Sequence, residues 1–574
     1  MTIIFRGTRR YAKPLFFAFI LNILSTLCMV ALPTLMTKVV DRGINAGDLH
    51  YVYTACALMA TVTLLDVIFT VISNKITNSA SLDFNHALRT RVFNKTLSMP
   101  PKTLKTYSTG ALLTRSIDDV DRISEVTGSL PSLLASIPVT LIAGTVLAFR
   151  QSPALAGVLL AFTPLVVFVV FICEHNTHKH WVVAEEQIDK QNALIRARLS
   201  GIRVVRAFNQ EHTEQDKVER ATRTMSKSMV RGNMRSELVA PASMLVLNIA
   251  TVLIIALGAK QITAPDTLLT AGGILAVIEY VGMITSGILS VSYFLAELPR
   301  FRTNCKRISE LLSAENENDG YDQQELTADG SIRLENVGFS YTGDGLALSG
   351  VSAMINAGET VAFIGGTGAG KSTLARLICG LEKPTEGTIY FGNRDISLYP
   401  PKAVRACVSY VRQRDLVFSG ALKKSLNAEQ NRTEEELLSA LSDGQLADFV
   451  KEKEEGLDYP ITERGGNLSG GQKQRVCISR ALLKDAPMYV FDDSFSALDF
   501  LTESRLRARL KQRLAGKTQI IVTQRVSTAK TCDKILVFDK GRLIAVGKHE
   551  DLLKTCPLYK EIHLSQTGGD LLCV

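Results

Sequence analysis

The chain has 574 residues, too many for one hydrophobic core, and length alone suggests several domains. Its net charge of +9 sits on a composition that is only 21% charged, with a mean hydropathy of +0.14. A basic, soluble nucleic-acid binder would carry more charge and less apolar sequence, so no nucleic-acid partner is expected.

The apolar excess lies mostly in the first half, which suggests a membrane part followed by a soluble part. A short basic stretch with Arg6, Arg9, Arg10 and Lys13 precedes a long apolar run without a cleavage site. That pattern reads as a retained membrane helix rather than a signal peptide. A spanning helix needs about 20 apolar residues. Pro14–Met36, Gly128–Phe149, Ser152–Cys173 and Leu238–Ala259 meet this with no charge at all. Val52–Ile72 contains only Asp66 and Leu268–Leu295 only Glu279, which completes six spans in contact with membrane lipid. The basic N-terminus predicts a cytoplasmic start. The connections near 37–51, 150–151 and 260–267 are then short and outside, while 73–127 and 174–237 are long, charged and inside.

The inside connections hold helix-friendly sequence such as Ala80–Leu97 and Val182–Arg198. The spacing predicts that helices two to five continue into the cytoplasm and return in two hairpins. About 25 extra residues at 1.5 Å each reach roughly 40 Å. The hairpin tips would carry residues 110–122 and 201–211. Asp66 and Glu279 are ionisable groups inside spans, where a lipid-facing carboxylate costs a few kcal/mol or more. Two readings stand: they line a transport path that favours cationic or amphipathic cargo, or they are structural and pair with polar neighbours.

The ten cysteines show no CxxC pair and no metal-ligand spacing, and they read as reduced, mostly buried thiols. Residues 311–330 are polar and acidic and read as a linker. Ser331–Tyr341 then alternates like a strand. The apolar run Thr360–Ile364 follows, and after it Gly365, Gly366, Thr367, Gly368, Ala369, Gly370, Lys371, Ser372 and Thr373 spell Gly-x-x-x-x-Gly-Lys-Ser. Leu374–Gly380 is apolar at helical spacing, so the motif has its strand–loop–helix context. Glycines let backbone N–H groups converge on phosphate oxygens at a helix N-terminus. Lys371 would hold β- and γ-phosphates, and Ser372 would ligate Mg2+.

With these runs in view the chain resembles one half of an ABC exporter, with six transmembrane helices fused to an ABC ATPase domain. The likeness covers about residues 10–565. Residues 110–122 and 201–211 look like that family's intracellular loops, whose coupling helices dock on nucleotide-binding domains. Leu468, Ser469, Gly470, Gly471 and Gln472 match the ABC signature, which in the family meets the nucleotide of a partner domain and so implies a dimer. The resemblance makes Tyr341, 24 residues before Gly365, the adenine-stacking aromatic. It makes Gln413 the Q-loop residue that contacts Mg2+, with Arg412 where a proline is usual. Phe418–Gly420 continues the pattern, and Ile461–Gly465 resembles the loop that meets the coupling helices. Met488–Asp492 is the Walker B strand, with Asp492 toward Mg2+, and Ser496 and Asp499 fall in the D-loop.

Two positions depart from the family. The general base should be Glu, but Asp493 is one methylene shorter, about 1.5 Å. The switch position should be His, but Gln524 cannot change charge. Binding motifs are intact while the hydrolytic pair is altered. The resemblance therefore narrows to the degenerate subunit of a heterodimer, whose homologous partner supplies the consensus Glu and His. The fold expected is a membrane α-helical bundle with long cytoplasmic extensions (1–310), a linker (311–330) and an α/β P-loop NTPase ABC domain (331–574). The chain would sit in the cytoplasmic membrane with both termini cytoplasmic. An importer on the exporter-like fold, and a nucleotide-gated regulatory or scaffold subunit, remain alternatives. Cargo is open among drugs, lipids and peptides. The tail after Gln566 carries no pattern.

Overall fold

The computed structural model describes residues 9–263, 269–319, 321, 325–341, 345–413, 416–427 and 432–567. Arg6, half of the 260–267 connection, part of the 311–330 linker and the last residues of the tail lie outside these. The chain divides into two compact units. One comprises Met1–Leu97 and Tyr107–Ala314; the other comprises Ser98–Thr106 and Glu315–Val574.

Among the described residues the first unit is built of helices: α1 (Arg9–Lys38), α2 (Leu49–Ser98), α3 (Asp118–Gln151), α4 (Pro153–Ser200), α5 (Glu211–Ser236), α6 (Val239–Ile262) and α7 (Ala271–Ser313). Six stretches among them are long and apolar enough to cross a membrane. The second and fourth, α2 and α4, run for 50 and 48 residues, each well beyond the ~30 Å hydrocarbon core at 1.5 Å per residue. Both expected turnarounds contain short helices, Thr109–Ser116 and Ile202–Ala207. The third extension is not continuous, because Ile117 (φ −113°, ψ −74°) breaks it just before α3.

The bundle core gathers α1, α3, α4, α6 and α7 around Val30, Ala148, Leu155, Ile254, Val277 and Tyr280. Polar side chains stitch α1 to its neighbours. Asn22 donates to Ser73 Oγ at 2.7 Å, Ser25 donates to Asp66 Oδ1 at 2.6 Å, and Thr34 shares a 2.6 Å hydrogen bond with the Tyr280 hydroxyl. Such bonds are a main cohesive force where lipid removes the hydrophobic one. After α1 the helix continues as a π-turn over Val39–Ile44, where an outside loop was expected. The reason is Asp41, whose carboxylate accepts from Thr270 Oγ1 and from the N–H of Gly272 at the start of α7. Apolar residues such as Val67, Ile68 and Val71 are exposed along α2.

The second unit holds the sheets. Strands β1 (Ile332–Phe339), β2 (Leu348–Ile355) and β4 (Glu386–Phe391) form an antiparallel sheet in the order β2-β1-β4, extended by Arg394–Asp395. Strands β3 (Thr360–Gly365), β5 (Val408–Val411), β6 (Met488–Asp492), β7 (Thr518–Val522), β8 (Lys534–Asp539) and β9 (Arg542–Gly547) form the second sheet. Its order is β9-β8-β3-β7-β6-β5, parallel except for β9. β3, β6 and β7 are buried along almost their whole length, as strands covered on both faces are. Helices α8 (Lys371–Ile378), α9 (Gly470–Leu482), α10 (Phe500–Arg513) and α11 (Pro557–Thr567) belong to this unit. In an open parallel sheet, the crevice beyond the carboxyl ends of the strands is where ligands bind. Here the loops after β3, β6 and β7 meet there.

Candidate functional site

The loop after β3 is built on backbone that side chains cannot share. Gly370, at the N-cap of α8, has φ +95°, and a Cβ there would lie 2.6 Å from Leu348 Cδ2 and 2.9 Å from Ala347 O. A Cβ on Gly365 would lie 2.2 Å from Phe538 O. Only glycine lets β8 and the start of β2 pack this closely on the loop. Around Gly366 and Gly368 a Cβ would meet nothing within 4 Å, so the loop opens on one side. Lys371 is 7% exposed, and its ammonium donates to the carbonyls of Gly365 (2.9 Å) and Gly366 (2.7 Å). Burial pushes its pKa down, against the pull of Asp493 and Asp492. A buried cation aimed along a glycine loop is a ready partner for an oxyanion.

Ser372, next on α8, donates to Asp492 Oδ1 at 2.6 Å. Asp492 ends β6 and is 3% exposed. Its other oxygen accepts from the Tyr410 hydroxyl at 2.9 Å. One hydroxyl and one carboxylate in contact make a hard-oxygen pair suited to Mg2+, which keeps water and phosphate as its remaining ligands. Thr373 Oγ1 shares a 3.1 Å hydrogen bond with the Tyr341 hydroxyl, which ties the expected adenine aromatic to the phosphate loop. The Tyr341 ring lies edge-on to Phe339. It also lies 5.5 Å from the ammonium of Lys105, which pairs with Glu382 at 2.6 Å.

Asp493 follows Asp492 in left-handed backbone, φ +48°, and its N–H donates to Val522 O at 3.0 Å. Gln413 Nε2 donates to Asp493 Oδ2 at 2.9 Å, so the Q-loop and base positions are joined. Burial pushes the Asp493 carboxyl above its ordinary range, and the Gln413 hydrogen bond draws it part of the way back. Gln524 is exposed on the loop after β7.

The signature forms the start of α9. Ser469 is its N-cap: Gln472 N–H donates to Ser469 Oγ at 3.2 Å, and Ser469 N–H donates to Gln472 Oε1 at 2.8 Å. This capping box leaves early N–H groups of the helix for an outside acceptor. A Cβ on Gly471 would come 3.2 Å from Ala497 O, so this glycine allows the D-loop to pass closely. Ser496 Oγ donates to Asp493 O at 2.9 Å, and Gln474 Oε1 accepts from the Ala497 N–H at 3.1 Å. Asp499 serves as the N-cap of α10, accepting from Thr502 N–H at 2.9 Å.

The structure therefore brings Tyr341, the phosphate loop, Gln413, Asp492 and Asp493 together. Among the described residues no hydrogen bond or ion pair joins Leu468–Gln472 to Gly365–Thr373. In the membrane unit Asp66 is partly buried against Ser25, and Glu279 is exposed on α7. Sequence reasoning missed Tyr410 and Lys105. Tyr410 stands beside Val490 of β6, and its hydroxyl reaches an Asp492 that lies 82 positions further along the chain, so no local pattern announces it.

Known proteins match this arrangement. The family described as ABC transporter transmembrane region matches residues 15–289, and the family described as ABC transporter matches residues 348–496. An uncharacterized ABC transporter ATP-binding protein of Mycobacterium tuberculosis (strain CDC 1551 / Oshkosh) is 31% identical over 576 residues, covering 97% of each chain. An ATP-dependent lipid A-core flippase of Albidiferax ferrireducens is 27% identical over 560 residues, covering 96% of each chain. The solved structure of a bacterial Atm1-family ABC exporter with ATP bound shares the fold, with a TM-score of 0.84 over 98% of this chain and 99% of that one, at 24% identity. The chain belongs to the ABC transporters. Within them it is a multi-pass half-transporter with the exporter fold, in which one polypeptide joins the transmembrane region to the ATPase domain.

Proposed function

We propose that this chain is the degenerate-site subunit of a heterodimeric ABC exporter in the cytoplasmic membrane, with both termini cytoplasmic. In this reading residues 1–310 form the transport domain, 311–330 the linker and 331–574 the nucleotide-binding domain. ATP stacks its adenine on Tyr341 and lays its phosphates along Gly365–Thr373, where Lys371 holds the β- and γ-phosphates. Ser372, Asp492 and the carbonyl oxygen of Gln413 would hold Mg2+, which neutralises phosphate charge when bound. The capped start of α9, Ser469–Gln472, is offered to the nucleotide of the partner. That partner is a homologous half-transporter carrying the consensus Glu and His. Closure of the two nucleotide domains would then drive the bundle, and turnover at the competent site would reset it.

The observation that carries the reading is Asp493. Its carboxylate is one methylene short of the usual base and is engaged by Gln413. A base must lie within hydrogen-bond reach of its proton, and a misplacement of about 1 Å can cost a hundredfold. Gln524 adds a switch side chain that cannot take up charge. The lipid A-core flippases among the relatives favour an amphiphilic, lipid-like cargo.

The test is steady-state ATPase of purified chain, alone and co-expressed with its candidate partner. Activity that needs the partner, and vanishes when the partner's Glu and His are replaced, supports the proposal. Turnover by this chain alone at about 1 s⁻¹ or faster would make Asp493 a working base and overturn it. Cargo flux in reconstituted vesicles separates export from import by its sign, and a pure scaffold would give none.

A further inference from the structure

The helix α11 ends against the loop that follows β7. Gln566 donates its Nε2–H to the carbonyl of Gln524 at 2.7 Å, and its Oε1 accepts from the N–H of Val526 at 2.8 Å. One side-chain amide thus pairs with an acceptor and a donor two residues apart, as a neighbouring strand would. Glutamine suits this task because it presents a donor and an acceptor side by side. Glutamate offers only acceptors when ionised, and lysine offers only donors. Gln566 is itself exposed, so packing does not dictate its identity.

Arg525 lies between the two clamped residues and reaches the other way. Its guanidinium donates to the carbonyl of Ser496 at 3.3 Å and pairs with Glu503, a carboxylate only 2% exposed. The loop is therefore held from two sides, by α11 through its backbone and by the D-loop and α10 through Arg525.

We propose that Gln566 is a positioning residue for the switch: it fixes the backbone at 524–526 and so sets where the Gln524 side chain and the Arg525 guanidinium stand relative to Ser496. Helix α11 thereby becomes part of the machinery that responds to nucleotide. This rests on the reading of Gln524 as the switch position.

The experiment uses the full chain in lipid nanodiscs with Gln566→Ala and Gln566→Glu, and reads hydrogen exchange of a peptide covering 519–530, with and without Mg·ATP. Both variants should exchange the Val526 amide about fivefold faster or more. They should bind trinitrophenyl-ATP within about twofold of the parent, and should lose the protection that Mg·ATP gives the parent over this peptide. Unchanged exchange in both variants overturns the proposal. So does faster exchange with nucleotide protection intact, because the clamp would then have no bearing on the switch. Lys371→Ala, run alongside, should abolish nucleotide binding. If it does not, the ATP-site reading falls and this proposal with it; if it does while the Gln566 variants behave as the parent, this proposal falls alone.

Discussion

The side-chain amide of Gln413 donates to Asp493 Oδ2 across 2.9 Å, joining the residue at the Q-loop position to the residue at the base position. Asp493 is held from the other side as well, since its N–H bonds to Val522 O at 3.0 Å and its backbone sits at φ +48°. Its carboxylate therefore has little freedom to move outward by the methylene it lacks.

Lengthening that side chain should restore the missing reach. Asp493→Glu is expected to raise ATPase of the purified chain about tenfold, and Asp493→Glu with Gln524→His about a hundredfold, in line with the cost of misplacing a base by about 1 Å. Phosphate release is the measurement, with nucleotide binding checked in parallel. A double variant that binds ATP normally and hydrolyses no faster would place the defect elsewhere.

The same carboxylate gives a pH signature. Burial raises its pKa in the folded chain, with Asp492 adding to the rise and Gln413 and Lys371 opposing it. A raised acid pKa contributes stability that is full below the unfolded value, about 3.9, and is lost as pH climbs through the folded value. The parent should therefore lose thermal stability relative to Asp493→Asn as pH rises from about 4 toward neutrality. Unfolding curves of the two proteins at matched pH check this. A melting-point gap that stays constant across the range would mean that the carboxyl titrates as an ordinary aspartate.

Tyr410 should matter to Mg2+ rather than to ATP itself. Its hydroxyl holds Asp492 Oδ2 at 2.9 Å while Oδ1 takes the Ser372 hydroxyl at 2.6 Å. Removing an orienting partner of a metal ligand typically costs about tenfold or more in metal affinity. Tyr410→Phe should raise the Mg2+ concentration needed for half-maximal nucleotide binding by about tenfold. Nucleotide binding without Mg2+ should be unchanged. Equal loss with and without the cation would make Tyr410 a packing residue.

Why some of this was legible in the sequence and some was not follows from chain separation. Gly365–Thr373, Leu468–Gln472 and Met488–Asp492 are contiguous runs, and their spacing reflects backbone geometry that a short motif must repeat. Six apolar stretches of spanning length are likewise a local property. The hydroxyl of Tyr410 meets Asp492 across 82 positions, Gln566 meets Gln524 across 42, and Ser25 meets Asp66 across 41. None of these leaves a local pattern. The segment Ser98–Thr106 belongs to the second unit; Pro100 and Pro101 mark it off from α2, but nothing local says with which unit it packs. Asp499 is a different case. Asp499-Phe-Leu-Thr502 at a helix start is a capping pattern, and reading it only as part of the D-loop passed over its local role.

The carboxylate of Asp66 gives the last prediction. It accepts from Ser25 Oγ at 2.6 Å and from Thr70 Oγ1 at 3.5 Å, and the two hydroxyls lie 3.0 Å apart. That arrangement is the polar pairing the structural reading asks of Asp66, and we propose the exposed Glu279 as the transport-path residue. Ser25→Ala removes the short partner of a charge-bearing group inside a span, and should destabilise the chain by about 1–3 kcal/mol. Asp66→Asn removes the charge, so the double variant should lose less than the sum of the two single changes, a coupling of about 0.5 kcal/mol or more. Unfolding in nanodiscs closes the cycle, and flux assays of Glu279→Gln against Asp66→Asn complete the comparison. Strict additivity, or a cargo preference that shifts with Asp66→Asn and not with Glu279→Gln, would return Asp66 to the transport path.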